Sequence, residues 1–493
     1  MQIKCLKSLY EKILAFWKKY KCVLLPIGIM TIVYVVGISA ILRADFNYLD
    51  DMGRVYAGYG GWDDYSRYLN NFASIFLHFG KHLADISPLP QLLAAVIVAV
   101  SGIIILYVLT GRLQYHFWEY VALIPLGLSP YFLECFSYKY DSFYMAISVL
   151  AGVLPLLFCK GNKIVYGLVS FAATLIMCTT YQAASGIFPM FVVLLALKQW
   201  NEKEKIRNIL KFIGVSLAGY GPAMIIYAVF IMHPVSSYVS NAVPSAGSII
   251  PQTIAHLGEY YRTLESDFKS EWLLLIVVMC VAFVWVTVRD SDRKKIIALP
   301  VAILALAVMA ILAFGMYPVL ETPLYYPRAM YGFGVFLTLM IAYVATAGKT
   351  YWAKIVSLVL GWAFVVFAFT YGNALAVQKE YTDFRISQTI EDLKELEVLE
   401  SGQPIVIQIS GTIGHAQVIQ NMPQDFQMLN RLVPVTYEQE SWWGWYGIAK
   451  YYGIPNTVWD LSPEWKEGEL NMVADNLYHT IWNRDNFILI ELK

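Results

Sequence analysis

The sequence is short of charge. Only 15% of its 493 residues are Asp, Glu, Lys or Arg, whereas 58% are hydrophobic. A soluble globular domain carries about a quarter of charged residues, so this composition excludes an ordinary water-soluble protein. Acidic and basic residues number 36 each. Nucleic acid is therefore not an expected partner, because proteins that bind it present a basic excess.

Cysteines and glycosylation sequons are also scarce. The chain has six cysteines, none of them after Cys280, and their spacing fits neither a zinc site nor a disulfide framework. No N-x-Ser/Thr sequon occurs, which favours a bacterial membrane over a eukaryotic secretory one. We expect the protein to lie in the bacterial cytoplasmic membrane.

Long apolar runs make up most of the chain. A helix needs about 20 apolar residues to cross a bilayer, and the short alternating segments of a membrane β-barrel are missing. The pattern predicts an all-α polytopic membrane protein with about 11 transmembrane helices. The predicted spans are 22–42, 90–109, 118–136, 143–158, 164–180, 186–199, 209–232, 272–288, 296–318, 332–347 and 355–371.

Basic residues predict the orientation of these spans. Lys and Arg cluster in alternate connections, for example at 18–21, 203–207 and 289–295. Cytoplasmic loops carry such an excess, so the N-terminus is expected inside the cell. An odd number of spans then places the C-terminus outside, together with the two long loops 43–89 and 233–271.

The tail has the composition of a soluble domain. Segment 383–400 has the apolar spacing of an amphipathic helix, and "IVIQIS" (405–410) and "FILIEL" (487–492) are typical of strands. We therefore predict a transmembrane module over 1–371 and a small extracytoplasmic α/β domain over 372–493.

The first outer loop places a carboxylate pair close to the end of the first span. Asp50 and Asp51 are followed by Arg54 and by several glycines. Two adjacent carboxylates beside a cation suit a general base working next to an anionic leaving group. Each carboxylate should raise the proton affinity of the other, whereas Arg54 acts in the opposite sense. The alternative is a solvated acidic loop.

A second outer turn, "SPYFLECFSYKYDS" (129–142), carries three charged residues. These are Glu134, Lys139 and Asp141. They are either lining residues of a substrate site or solvated members of a tight aromatic hairpin.

Two later turns add further candidates. Tyr181 and Gln182, in "TTYQAAS", are either ordinary interface residues or contacts to sugar hydroxyls. Arg328 is the one cation of "YPVLETPLYYPRAMYG". It is either an anion ligand or a side chain that reaches lipid headgroups.

The tail offers weaker signals. "ISGTIGH" (409–415) has glycines that suit either a phosphate-binding loop or an ordinary turn between a strand and a helix. "WWGWY" (442–446) is rich in aromatic rings that stack on sugars, fill a core or anchor a domain at headgroups.

Four motifs together carry a family resemblance. "FNYLDDMGRVYAGYGGW", "SPYFLECFSYKYDSFYMAIS", "YQAAS" and "YYPRAMYG" occur at matching positions relative to the spans, over roughly residues 30–350. In this order they resemble the Gtr-type glucosyltransferases of bacteria and their phages, which belong to the GT-C class. The tail has no motif that matches.

The resemblance implies a function. Such enzymes take a sugar, here glucose or a related hexose, from undecaprenyl phosphate and transfer it to a cell-surface polysaccharide on the outer face of the membrane. They work downstream of a donor synthase and a flippase. The resemblance implies that Asp50 or Asp51 is catalytic, with Asp51 preferred because it precedes Arg54 by three residues. Arg328 and Arg54 would hold the donor phosphate.

Other classes stay open. A flippase of lipid-linked sugars would carry charges at mid-span, and these spans have almost none. A polymerase or ligase of lipid-linked glycans would differ mainly in its donor. A divalent cation, Mg²⁺ or Mn²⁺, is a possible cofactor, because Asp50, Asp51 and Asp141 offer oxygen ligands.

Overall fold

The computed structural model describes residues 2–235, 242–348, 350–394, 396–400, 402–422, 425–463, 465 and 468–493. The first part of the chain is helical throughout. Its helices are α1 (Gln2–Gly37), α2 (Ser39–Ala44), α3 (Asp50–Ala57), α4 (Tyr68–Leu77), α5 (Leu89–Thr110), α6 (Phe117–Val121), α7 (Ile124–Leu128), α8 (Pro130–Ser137), α9 (Ser142–Val153), α10 (Lys163–Thr180) and α11 (Ile187–Asn201).

The second part combines helices with one sheet. Its helices are α12 (Ile206–Ile226), α13 (Ile249–Asp267), α14 (Ser270–Asp290), α15 (Lys295–Leu312), α16 (Pro327–Met330), α17 (Gly332–Thr346), α18 (Tyr351–Leu393), α19 (Gln417–Asn421), α20 (Leu429–Leu432) and α21 (Trp442–Tyr446). Its strands are β1 (Ile405–Ser410), β2 (Thr457–Val458), β3 (Asn471–Asp475), β4 (His479–Arg484) and β5 (Phe487–Leu492).

The predicted membrane class is confirmed, and the count of spans is approximate. Within the described residues, nine helices are long and apolar enough to cross a bilayer, or ten if one bent pair forms a single span. The bent pair, Phe117–Leu128 with Pro130–Ser137, coincides with the third predicted span and bends by 57°. The bend follows from Pro130, which disfavours helical geometry at Ser129 and lacks an N–H. The fourth predicted span corresponds to a shorter apolar segment, Ser142–Phe158.

The tail forms a small five-stranded sheet of order β2-β1-β5-β4-β3. The predicted strands coincide with β1 and β5, which pair in parallel with each other. Strand β1 alternates buried and half-buried residues. The predicted α/β character of the tail is confirmed.

Helix α18 joins the two parts without a break. It runs for 43 residues from Tyr351 to Leu393, so that the last predicted span and most of the predicted helix 383–400 form one rod. Its later residues Ile386 and Leu393 belong to the core under the sheet. The predicted boundary between 371 and 372 therefore falls inside a helix. At that point Gly372 allows close packing on α2, because a Cβ there would lie 2.5 Å from the backbone of Ala40.

Part of the tail packs into the transmembrane core. Leu429, Leu432 and Val433 belong to the same hydrophobic cluster as the membrane helices. The carbonyl oxygen of Leu432 accepts hydrogen bonds from the hydroxyls of Tyr48 at 2.8 Å and Tyr371 at 3.2 Å. The tail thus covers the end of the bundle at which the first loop lies.

Candidate active site

A cavity of ≈ 420 Å³ lies between the first loop, the two aromatic turns and the tail. It is large enough for a small ligand, since such sites span about 300–1,000 Å³. Charged and aromatic side chains supply most of its polar surface. The lining residues are Leu49, Asp50, Arg54, Tyr65, Arg67, Tyr138, Asp141, Met145, Tyr326, Arg328, Val435, Glu438, Ser441 and Trp443.

Helix α3 positions the carboxylate pair. Leu49, directly before it, has a φ of 46°, a value that bulky residues seldom adopt, so the backbone turns sharply into the helix. Gly58 ends the helix with a φ of 64°, which glycine adopts without strain. Successive helical residues point about 100° apart. Asp50 and Asp51 consequently face different surroundings.

Asp50 faces the cavity. It is half-buried and makes no hydrogen bond or ion pair with the part of the chain that the structure describes. Burial raises the pKa of its carboxyl group, and the charge of Arg54 opposes that rise. A half-buried carboxylate with a raised pKa and open access to a cavity has the properties of a general base.

Asp51 faces the protein interior and is fully buried. Its Oδ2 atom accepts hydrogen bonds from the backbone N–H groups of Lys139 at 2.8 Å and Tyr48 at 3.3 Å, whereas Oδ1 is buried without a partner in the described structure. Burial raises the pKa of Asp51 to about 8, against the opposing charge of Arg54. Repulsion within the carboxylate pair was expected to raise this pKa; burial is instead the largest cause of the rise.

Asp141 and Arg54 form a buried ion pair in the wall of the cavity. The second carboxylate oxygen of Asp141 accepts a hydrogen bond from the indole of Trp62, and the guanidinium of Arg54 lies 4.8 Å from the centre of that indole. Both carboxylate oxygens of Asp141 therefore accept hydrogen bonds. We expect Asp141 to position Arg54 and not to act as a general base.

Arg328 enters the cavity from the first turn of α16. Its guanidinium pairs with Glu134, and its backbone N–H donates to the other oxygen of the same carboxylate. The rings of Tyr326 and Tyr138 flank the guanidinium at 4.7 and 5.6 Å. Glu134 is buried and does not line the cavity, but it orients the guanidinium of Arg328 towards the cavity.

Tyr181 and Gln182 act on the cavity through Arg67. The Gln182 side-chain oxygen accepts a hydrogen bond from Nε of Arg67 at 3.1 Å, and the guanidinium lies 4.4 Å from the centre of the Tyr181 ring. Arg67 was not predicted as a site residue. The available signal was a further arginine in the acidic first loop, but 115 residues separate Arg67 from Gln182.

Lys139 points away from the cavity. Its ammonium group donates to the side chain of Asn47 at 2.8 Å and pairs with Asp45. Its backbone holds Asp51 instead. Among the predicted site residues, Asp50, Arg54, Asp141 and Arg328 line the cavity. Glu134 holds Arg328, and Tyr181 and Gln182 hold Arg67. Asp51 and Lys139 do not line the cavity and are hydrogen-bonded to each other.

The tail supplies one wall of the cavity through Val435, Glu438, Ser441 and Trp443. Burial raises the pKa of Glu438, and the charge of His415 opposes that rise. The aromatic stretch at 442–446 was noticed in the sequence, but no pattern there shows that Trp443 meets the first loop.

The three aspartates do not fit a metal site. The oxygens of Asp141 are taken by Arg54 and Trp62, and Asp51 is directed at backbone amides. Within the described residues no group of three or more His, Cys, Asp or Glu is arranged to hold a metal ion. A divalent cation prefers about six oxygen ligands, which this donor set does not offer.

Comparison with known proteins connects this geometry with an activity. The family model described as "Glucosyl transferase GtrII" matches residues 39–339, a range that includes every predicted site residue. The chain is 25% identical over 409 residues to an uncharacterized 55.3 kDa protein in the gtrB 5′ region of Salmonella phage P22; the match covers 80% of this chain and 84% of that protein. No solved structure matches significantly.

Proposed function

The chain belongs to the GtrII glucosyltransferase family and is a membrane glycosyltransferase; from this premise we propose that it moves glucose from undecaprenyl phosphate to a cell-surface polysaccharide, on the outer face of the bacterial cytoplasmic membrane. The proposal rests on one observation. A single cavity contains an unpaired carboxylate, Asp50, and three arginines, Arg54, Arg67 and Arg328.

The chemistry of glucosyl transfer asks for this combination. The acceptor is a sugar hydroxyl, which is a poor nucleophile at neutral pH. Asp50 accepts its proton while the hydroxyl oxygen bonds to the anomeric carbon of the donor. The bond from that carbon to the phosphate oxygen breaks, and the electron pair leaves with the lipid phosphate. One such displacement inverts the anomeric carbon.

The arginines serve the leaving group. Negative charge grows on the phosphate as the bond breaks, and fixed cations in a partly buried site stabilise it. Arg328 and Arg67 are each oriented by aromatic rings, and Arg67 also by the amide of Gln182. Arg54 and Arg328 are each paired with a buried carboxylate, but Arg54 is only 2% exposed, whereas Arg328 is 13% exposed. We therefore assign the main phosphate contacts to Arg328 and Arg67.

An apolar cleft beside the cavity supports a lipid donor. Its volume is ≈ 150 Å³, and Met224, Met232, Met316 and Leu320 contribute to its walls. Gln182 lines this cleft and also holds Arg67. An isoprenoid chain lying in the cleft would bring its phosphate next to Arg67, which supports a lipid-phosphate donor of the GT-C type.

The tail supports a role in acceptor binding. Its residues Glu438, Ser441 and Trp443 line the same cavity as Asp50. A carboxyl group, a hydroxyl and an aromatic ring are the groups that bind sugars through hydrogen bonds and stacking. We propose that the acceptor sugar lies between this wall and Asp50.

Transfer by the purified protein tests the proposal. We expect glucose to move from synthetic undecaprenyl-phosphate glucose to purified surface polysaccharide, with no transfer from UDP-glucose, and the same rate with EDTA as with Mg²⁺ or Mn²⁺. Transfer of pyrophosphate-linked oligosaccharide instead would identify a polymerase or ligase. Movement of the lipid-linked sugar across vesicles without transfer would identify a flippase.

A further inference from the structure

A second polar cavity, of ≈ 380 Å³, lies on the other side of the turn at 137–141. The turn forms a thin partition between the two cavities. Tyr138 and Asp141 line the active-site cavity, whereas Ser137 lines the second one. Asp45, Asp85 and Gln91 supply most of the remaining polar groups of the second cavity.

Gln91 is the residue in this cavity that lacks a partner. It lies in the first turns of the apolar helix α5 and is only 4% exposed. Its side-chain oxygen is buried without a hydrogen bond in the described structure. A buried amide without partners costs free energy. Gln91 lines the polar cavity with another part of its side chain, so rotation of the amide towards the cavity would let a ligand complete its hydrogen bonds.

The charges around Gln91 restrict the class of ligand. Lys139 is buried, pairs with the rim residue Asp45, and lies 3.7 Å from the carboxylate of Asp85. The ammonium group repels a metal cation, and the two carboxylates repel an anion. The amide and carboxylates offer both donors and acceptors to a neutral ligand. Phe46, Ile41 and Leu375 add apolar walls.

We infer that this cavity binds a neutral sugar unit of the acceptor polysaccharide, at a distance from the unit that reacts. The inference rests on the proposed function, because it assigns the polymer of that reaction to a second place on the same enzyme. A sugar ring has hydroxyl groups for Gln91 and Asp85 and an apolar face of C–H groups for Phe46. A polymer extends beyond its reacting unit, and the loop 45–54 contributes residues to both cavities.

The second cavity is also connected to the catalytic residues. Lys139 contacts Asp45 with its side chain and Asp51 with its backbone N–H. A sugar that orders Asp45 and Lys139 consequently also stabilises the start of α3, where Asp50 lies.

The length of the acceptor distinguishes binding at the second cavity from binding at the active-site cavity. We would compare surface polysaccharide, purified from a strain without the gene, before and after mild acid cleavage to short oligosaccharides. The variant Gln91→Leu should lower the ratio of kcat/KM for polymer to that for oligosaccharide about tenfold, the value of one hydrogen bond. Asp85→Asn changes an exposed residue at the rim of the cavity, and it should lower the same ratio without a change in the protein core. Gln114→Leu, on an exposed loop away from both cavities, is the matched control.

Binding of the intact polysaccharide to the full-length protein gives a second measurement that needs no transfer. Weaker binding by folded Gln91→Leu and Asp85→Asn supports the second site, even if the wild-type protein fails to use the lipid donor and the proposed function is wrong. An unchanged ratio and unchanged binding in both variants would overturn the inference while leaving the transfer activity established.

Discussion

Asp50 and Asp51 are adjacent in the chain but face opposite environments: Asp50 lines the charged cavity, and Asp51 is fully buried with its carboxylate on the backbone N–H of Lys139. The resemblance to the Gtr-type enzymes favoured Asp51 as the base. Access to substrate favours Asp50, because a base has to reach the proton that it removes. We assign the proton transfer to Asp50 and a positioning role to Asp51.

The first prediction concerns this assignment. Asp50→Asn keeps the size of the side chain and removes its basicity, so transfer should slow by about a hundred- to ten-thousandfold. Asp51→Asn should slow transfer much less. The measurement is kcat with synthetic undecaprenyl-phosphate glucose, together with the melting temperature of each variant. A larger loss in Asp51→Asn, at equal stability, would return the role of base to Asp51.

The second prediction concerns the pH dependence of stability. The pKa of Asp51 is about 8 in the fold and near 3.8 when unfolded, so the folded protein binds an extra proton between these values. Protonation of Asp51 stabilises the fold in full below a pH of about 4, and this stabilisation is lost as the pH rises through about 8. Asp51→Asn removes the titrating group. The melting temperature of the wild type should therefore fall relative to that of the variant between pH 5 and 8.5; parallel curves would contradict the buried, protonated state.

The third prediction concerns Arg328. Arg328→Ala removes a cation from the phosphate position, and a charged hydrogen bond contributes about 1.5–3 kcal/mol, so donor binding should weaken about ten- to over a hundredfold. Arg262→Ala is the control, since Arg262 is exposed and pairs with Glu259 on α13. The measurement is the Kd for the lipid donor. An unchanged Kd would instead support the alternative that Arg328 contacts lipid headgroups.

The fourth prediction concerns the tail. Because Leu429, Leu432 and Val433 pack into the transmembrane core, deletion of the tail would unfold more than the acceptor site. Trp443→Ala is the sharper change, and it should raise KM for polysaccharide several-fold with little effect on donor Kd. Trp482→Ala, on the distant strand β4, is the control. Equal KM values for Trp443→Ala and the wild type would show that the tail residues lining the cavity do not bind the acceptor.

The fifth prediction concerns orientation. Asn430 and Lys205 are exposed at positions that we place on opposite faces of the membrane. Single cysteines at these positions, in a protein without its six native cysteines, should differ in intact cells: an impermeant thiol reagent should label position 430 and leave 205 unlabelled. Labelling at 205 alone would reverse the orientation and place the active site in the cytoplasm.

The sequence predicted those features that depend on neighbours along the chain. Long apolar runs identified the spans, and short runs rich in β-branched residues identified β1 and β5. Asp50, Arg54 and Arg328 were found because each stood out in its own segment. Gln182 was singled out as well, but its contact with Arg67 was not, because a hydrogen bond across 115 residues leaves no local pattern.

The directions in which side chains point could not be predicted from the sequence either. The sequence placed Asp50 and Asp51 in the first outer loop. The structure shows that they begin helix α3, and the surrounding fold decides which of them meets the cavity. The same holds for Lys139, whose backbone and side chain contact different groups. The continuity of α18 was missed because polar residues after 371 suggested a domain boundary, although that stretch contains no proline to end the helix.

The unbroken helix α18 bears on how the proposed polysaccharide acceptor reaches the cavity. A helix of 43 residues is a stiff rod of about 65 Å, and Tyr371 within it is hydrogen-bonded to Leu432 of the tail. Within the described residues, α18 thus extends from the bundle into the core under the sheet and is bonded to the tail. For the polysaccharide acceptor proposed above, we expect this rigid support to limit the size of the branches that reach the cavity.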